Sequence, residues 1–181
     1  TVADGVVYVT DIRGNVYAFS SECGKMLWVH RTGMQEDGVQ RAWSHAAPVL
    51  DNGVVYVNIG HGLLAVEARS GKKIWEFRPD EDGYGDSDRL GAPLVNDGIA
   101  YFTGDGRYLC AVSTKTGREL WRYYPSVPSR FRTGPTLSDG CLYLRTERGS
   151  LEVIDAKTGR YLWHYVKAAA NEGRAYIAVT E

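Results

Sequence analysis

The chain has 181 residues, with 21 Lys and Arg against 22 Asp and Glu, and 44% hydrophobic residues. That length is ample for a sizeable core, and the near balance of charge removes the net basic field that draws nucleic acid or an anionic membrane. No apolar run approaches the length of a membrane span, so neither a nucleic-acid partner nor a membrane segment is expected from this chain.

Taken in order, the chain opens on Thr1-Val2-Ala3-Asp4-Gly5, which leads into the β-branched and aromatic run Val6-Val7-Tyr8-Val9. Such a run bounded by glycine predicts a strand. Gly24 follows, and Trp28 lies four residues beyond it. A second passage begins at Pro48 and repeats the plan. It runs through Asn52-Gly53, Val54-Val55-Tyr56-Val57, a turn at Gly60 and Gly62, Leu63-Leu64-Ala65-Val66, Gly71 and Trp75. The third and fourth passages start at Pro93 and Pro135 and bring Gly117 before Trp121 and Gly159 before Trp163. In the first passage that proline would precede Thr1, so the repeat is expected to be cut at its front.

The Asp-Gly or Asn-Gly before each first run predicts a tight hairpin, because both residue types accept positive φ. From that glycine to the one before Trp the count is 19, 18, 19 and 19 residues, whereas from Trp to the next Pro it is 20, 18 and 14. The strands are fixed and the connections are elastic. Only Lys167-Ala168-Ala169-Ala170-Asn171 could pass for a helical turn. Repeats of 42 to 48 residues with four short strands each predict an all-β chain, a β-propeller of four-stranded antiparallel blades. The expected blades are 1–32, 46–79, 91–125 and 133–166, within one domain spanning 1–181. About four blades are present, half of a six- to eight-bladed ring or an irregular small propeller. Residues 167–181 are expected to be an irregular tail or the start of a fifth blade, since Ala168 takes the Pro position only five residues after Trp163.

The recurrent Trp suits docking between blades. Ala65-Val66-Glu67-Ala68-Arg69-Ser70-Gly71-Lys72-Lys73-Ile74-Trp75 and the stretch from Val153 to Trp163 resemble the tryptophan-docking motif of the PQQ-like β-propeller repeat family, Ala-x-Asp-x-x-Thr-Gly-x-x-x-Trp. The first copy departs with Ser20 and Cys23, and the third with Ser113. The resemblance covers residues 1 to about 163. It assigns Trp28, Trp75, Trp121 and Trp163, with Gly24, Gly71, Gly117 and Gly159, to structural docking. It also implies a non-enzymatic propeller, extracytoplasmic (periplasmic or secreted), serving as a protein-interaction scaffold or ligand sensor, as in outer-membrane assembly lipoproteins and kinase sensor domains. The alternative it implies is a fragment of a PQQ-dependent alcohol or sugar dehydrogenase, with PQQ and calcium. Under the favoured reading no cofactor is expected. The partners are other proteins or the rest of a longer propeller, and open blade faces predict self-association.

Candidate site residues lie on the connections and middle hairpins, which share one face in this topology. Trp43, His45, His61, Arg89, Arg130 and Arg132, with Phe131 nearby and Arg13, Asp105, Arg107, Arg145 and Arg148 on the hairpins, would make a cationic, aromatic mouth. Guanidinium groups bind carboxylates and phosphates bidentately. The plainer alternative is a solvated rim in which Arg pairs with Asp86, Asp88 or Glu147. Asp80, Asp82, Asp86 and Asp88 are a weak calcium candidate without EF-hand spacing. No G-x-S-x-G, H-E-x-x-H, phosphate-binding loop or C-x-x-C-H occurs, so no catalytic residue is assigned. His30 and His164 fall on outer strands. Cys23, Cys110 and Cys141 cannot all pair and read as small side chains.

Overall fold

A computed structural model describes residues 1–11, 13–32, 46–59, 62–79, 91–126 and 129–166. All elements among the described residues are strands, in four antiparallel four-stranded sheets. The first sheet is β1 (Val2–Ala3), β2 (Val6–Thr10), β3 (Val16–Ser20) and β4 (Met26–His30). The second is β5 (Val49–Asp51), β6 (Val54–Asn58), β7 (Leu63–Glu67) and β8 (Lys73–Phe77). The third is β9 (Leu94–Asn96), β10 (Ile99–Gly104), β11 (Tyr108–Ser113) and β12 (Glu119–Tyr123). The fourth is β13 (Thr136–Ser138), β14 (Cys141–Arg145), β15 (Leu151–Asp155) and β16 (Tyr161–Tyr165). In each, the strands lie side by side in chain order. This is a partial β-propeller of about four blades.

Local chemistry makes each meander. The hairpin joining the first two strands turns through Asp4-Gly5, Asn52-Gly53, Asp97-Gly98 or Asp139-Gly140. The acidic or amide residue sits at φ of 46–49° and the glycine at 73–76°. Two successive positive φ values define the tight turn whose twist matches the flanking strands. One feature was not legible in the repeat: the pairing of third and fourth strands shifts register at the same place in every sheet, between Ala18/Phe19, Ala65/Val66, Ala111/Val112 and Val153/Ile154. This fourfold β-bulge sits one residue past the partner of each Trp, where such kinks re-aim side chains.

The sheets stack in series, and three apolar clusters fill the spaces between them. Tyr8, Val16 and Ala18 of the first sheet meet Val55, Val57, Leu64 and Val66 of the second. Tyr56, Leu63 and Ala65 meet Ala100, Phe102, Cys110 and Val112 of the third. Tyr101, Leu109 and Ala111 meet Leu142, Leu144 and Ile154 of the fourth. A twisted sheet has two apolar faces, and only neighbours on both sides bury them.

At the outer edge the same bond closes each joint. Trp28 Nε1 donates to the Ala68 carbonyl at 2.9 Å, Trp75 Nε1 to Thr114 at 2.8 Å and Trp121 Nε1 to Ala156 at 3.2 Å. Each indole also packs on a tyrosine of its own sheet, with ring centroids 5.8–6.0 Å apart. The indole lies flat on a glycine of the next sheet. A Cβ at Gly71, Gly117 or Gly159 would stand 2.4, 2.8 or 2.5 Å from Trp28, Trp75 or Trp121. Glycine is therefore required there twice over, by contact and by φ of 67–70°. Trp163 in β16, by contrast, is 45% exposed.

Candidate functional site

In the first two sheets the second strand ends in a polar residue that ties down an incoming connection. Thr10 Oγ1 donates to the Ala46 carbonyl at 3.2 Å. Buried Asn58 donates through Nδ2 to the carbonyls of Gly91 and Thr103, at 3.2 and 3.1 Å. Gly91 and Gly134, just ahead of β9 and β13, press backbone on backbone: a Cβ on Gly91 would stand 1.7 Å from the Gly134 nitrogen. The inner strands thus converge at this end, beside the middle hairpins.

The best-described connection is the one between the third and fourth sheets. It runs as an extra short strand wedged between two middle hairpins. The Phe131 amide donates to Gly106 at 2.6 Å, the Arg132 amide to Arg145 at 2.9 Å, and the Glu147 amide to Arg130 at 2.7 Å. Phe131 also bridges Thr146. Gly106, at φ of 66°, admits this strand because a Cβ there would lie 2.7 Å from the Phe131 carbonyl. Three backbone bonds fix where Arg130 and Arg132 stand, both half-buried, next to exposed Arg107, Arg145 and Arg148 and exposed Glu147.

Two expectations change here. Phe131 does not line a mouth: its ring is 2% exposed and belongs to the core between the last two sheets. Asp105, read as a rim residue, is 5% exposed. It occupies the hairpin turn at φ of 49°, where Asp is tolerated.

Glu152 is the residue the sequence reading missed. Its carboxylate is fully buried. It accepts from Tyr123 Oη at 2.8 Å, from Ser126 Oγ at 3.1 Å and from the Ser126 amide at 3.1 and 3.3 Å. Burial first, and the bond to Glu152 second, push the Tyr123 phenol well above its ordinary range. The signal was present: Glu152 falls in register with Leu64 and Cys110, both fully buried. A carboxylate at a core position needs hydrogen-bond partners, and these partners anchor the start of the 124–132 connection.

Trp43, His45, His61 and Arg89, and the acidic group Asp80, Asp82, Asp86 and Asp88, lie outside the described residues. His30 bonds the Gly71 carbonyl at 3.0 Å and His164 the Tyr161 hydroxyl at 2.6 Å, both from outer strands. All three cysteines are free, Cys110 buried and Cys23 exposed. A cavity of about 440 Å³ also opens between the last two sheets, but at the opposite end of the strands, lined by Asp97, Tyr101, Asp155 and Lys157 among others.

A planar quinone carboxylate with calcium needs an open aromatic or flat wall and a set of converging oxygens. Among the described residues no three His, Cys, Asp or Glu side chains come close enough to hold a metal ion. The aromatic of the described connection is turned into the core. Such a converging set of oxygens is not found among the described residues. What the described residues present at this connection is Arg107, Arg130, Arg132, Arg145 and Arg148 beside Glu147.

Comparison with known proteins accords with this architecture. The quinohemoprotein alcohol dehydrogenase of Comamonas testosteroni superimposes with a TM-score of 0.76 at 21% identity, covering 92% of this chain and 34% of that one. BamB of Moraxella catarrhalis superimposes at 0.67 and 21% identity, over 88% of this chain and 49% of that one. A computationally designed protein, Ika8, superimposes at 0.68 and 16% identity, over 91% and 47%. In sequence, the quinoprotein ethanol dehydrogenase of Pseudomonas aeruginosa is 28% identical over 100 residues, 54% of this chain and 16% of that protein. The chain thus spans less than half the length of each of these relatives. The family model described as outer membrane protein assembly factor BamB matches residues 13–180. The chain belongs to that family of PQQ-like repeat propellers.

Proposed function

We propose that the chain is a non-enzymatic propeller module, an extracytoplasmic scaffold or sensor that binds proteins or ligands carrying carboxylate or phosphate groups. The observation that carries this reading is the latched connection at Arg130–Arg132. Three main-chain bonds hold two arginines beside three exposed ones. Such preorganisation lowers the cost of binding an anionic segment. A protein partner is also in keeping with the description of the matching family, an assembly factor. Trp43, His45, His61 and Arg89 are proposed to extend the same rim.

The test is a thermal-shift and titration panel of acidic peptides and small carboxylates and phosphates. The expected result is a shift from at least one of them that falls as salt rises and is lost in the Arg130→Ala, Arg132→Ala double variant. No shift across the panel, or an equal shift in the double variant, sinks the reading. The match to quinoprotein ethanol dehydrogenase supports a second reading, a piece of a PQQ-dependent dehydrogenase. Dye reduction by the chain with PQQ, calcium and an alcohol would favour it over the scaffold.

A further inference from the structure

The cavity between the last two sheets lies at the other end of the strands from the arginine rim, and its chemistry is the opposite. Its volume is about 440 Å³, within the roughly 300–1,000 Å³ typical of small-molecule pockets. Both walls are made of described residues, one from 96–101 and the other from 137–157. Ile99 at the start of β10 and Leu137 in β13 give it half-buried apolar sides. Its floor is Tyr101 and Ala156, 3% and 6% exposed. The Ala156 carbonyl already accepts from Tyr101 Oη at 3.1 Å and from Trp121 Nε1 at 3.2 Å. Both of its lone pairs are thereby used, so the floor offers a ligand mainly apolar surface.

The charged groups stand at the lip. Asp97 is exposed and Asp155 half-buried, and neither forms an ion pair with a described residue. Asp97 accepts from Asn96 Nδ2 at 2.9 Å, and Asp155 from the Thr158 amide and hydroxyl at 2.8 and 2.6 Å. A carboxylate has about four lone-pair sites, so each keeps room for a further donor. Both charges reach into the cavity: burial first, then Asp97 and Asp155, raise the Tyr101 phenol above its ordinary range. Lys157, exposed, is the one cation on the lining, and Arg160 acts on Asp155 without lining the cavity. Two carboxylates against one ammonium leave the lip acidic. The preceding joint lacks this charge, because Asn52 and Ser113 stand there in the places of Asp97 and Asp155.

We propose that this cavity binds a small organic cation, an ammonium group carried on an aromatic or alkyl body. The acceptors at the lip pair with the ammonium, and the apolar sides and Tyr101 cover the body. Such a division, an apolar hollow with a few placed polar groups, is what fixes the orientation of a small ligand. The site is separate from the arginine rim and of opposite charge.

Titration of the 181-residue chain, followed by NMR at its backbone amides, tests this with three probes of one aryl body: 2-phenylethylammonium, 2-phenylethanol and phenylacetate. The ammonium is expected to bind saturably, with the largest shifts at residues 97–101 and 155–157. It should bind about tenfold more tightly than the alcohol, and phenylacetate more weakly than either. Asp97→Asn is expected to weaken the ammonium about two- to fivefold and to leave the alcohol and the melting profile unchanged. Asn is at home in this turn, since Asn52 holds it at φ of 46° and Asp97 at 47°. Lys157→Gln should act in the opposite direction and tighten the ammonium about twofold. The Arg130→Ala, Arg132→Ala double variant should bind it as the parent chain does, which separates this site from the rim. The proposal is overturned by the absence of saturable shifts at these residues, or by equal affinity for the ammonium and either other probe. An ammonium affinity unmoved by both Asp97→Asn and Lys157→Gln overturns it as well.

Discussion

Trp121 and Trp163 occupy the same place in successive repeats, yet the first is docked and the second is half in solvent. Trp121 bonds the Ala156 carbonyl, packs on Tyr101 and covers Gly159. Trp163 follows an identical glycine turn and the same β-bulge, and is 45% exposed. The local motif therefore sets the shape of the outer hairpin and the aim of the indole, while the energy comes from the next sheet. A recurring tryptophan stabilises a propeller one joint at a time, and a joint needs two sheets.

Substitutions in matched positions sharpen that contrast. Trp75→Ala, in the joint between the second and third sheets, is expected to lower the unfolding free energy by about 3–5 kcal/mol, measured by denaturant unfolding. A loss near zero would mean that the indole only decorates the rim. Gly71→Ala and Gly24→Ala come next. Both incur roughly 1–2 kcal/mol for a side chain at positive φ. Only Gly71→Ala also meets an indole, which adds about 1–3 kcal/mol of overpacking. Equal losses at the two glycines would deny the seat. Tyr123→Phe should cost about 1–3 kcal/mol, because it removes a donor from the buried Glu152 carboxylate. It should also flatten the alkaline limb of the stability profile. The phenol's raised pKa contributes stability that is complete below about pH 10 and is lost as pH rises through the folded value. An alkaline limb unchanged by Tyr123→Phe would argue against that assignment. Trp163→Ala is expected to cost less than about 1 kcal/mol, since the residue is already 45% exposed.

The smallest effect concerns the turn before β3. Partial burial acts to raise the Asp11 pKa, but bonds from the Asn15 side chain and amide, from Tyr17 and from the Arg13 amide outweigh it and hold the carboxyl below its usual range. Its contribution is present above the unfolded value near about 3.9 and is lost as pH falls through the folded one. Asp11→Asn should therefore flatten the acid limb of the profile below about pH 4. An unchanged limb would remove Asp11 as a contributor.

What the sequence made legible was local chemistry repeated in phase. Asp97-Gly98 announces its turn because the backbone angles depend on those two residues alone. The Trp spacing announces four strands because alternation and turn residues are short-range. The bulge at Ala111/Val112 was hidden, since it is a property of how two strands are counted against each other. The placement of Phe131 in the core was hidden for a related reason. Its connection has no counterpart of equal length, and only the meeting of two hairpins shows which side of it faces inward. Glu152 was readable in retrospect from its alignment with Leu64 and Cys110. Its residue type alone does not separate it from rim carboxylates such as Glu147.

The central claim is that each docked indole is held by the following sheet, and its most direct test is hydrogen exchange at the indole Nε1–H groups of the chain. Trp28, Trp75 and Trp121 should exchange slowly, through opening of their joints, and Trp163 close to the rate of a free indole. Free exchange at Trp75 or Trp121, or protection of Trp163 equal to theirs, would contradict the account.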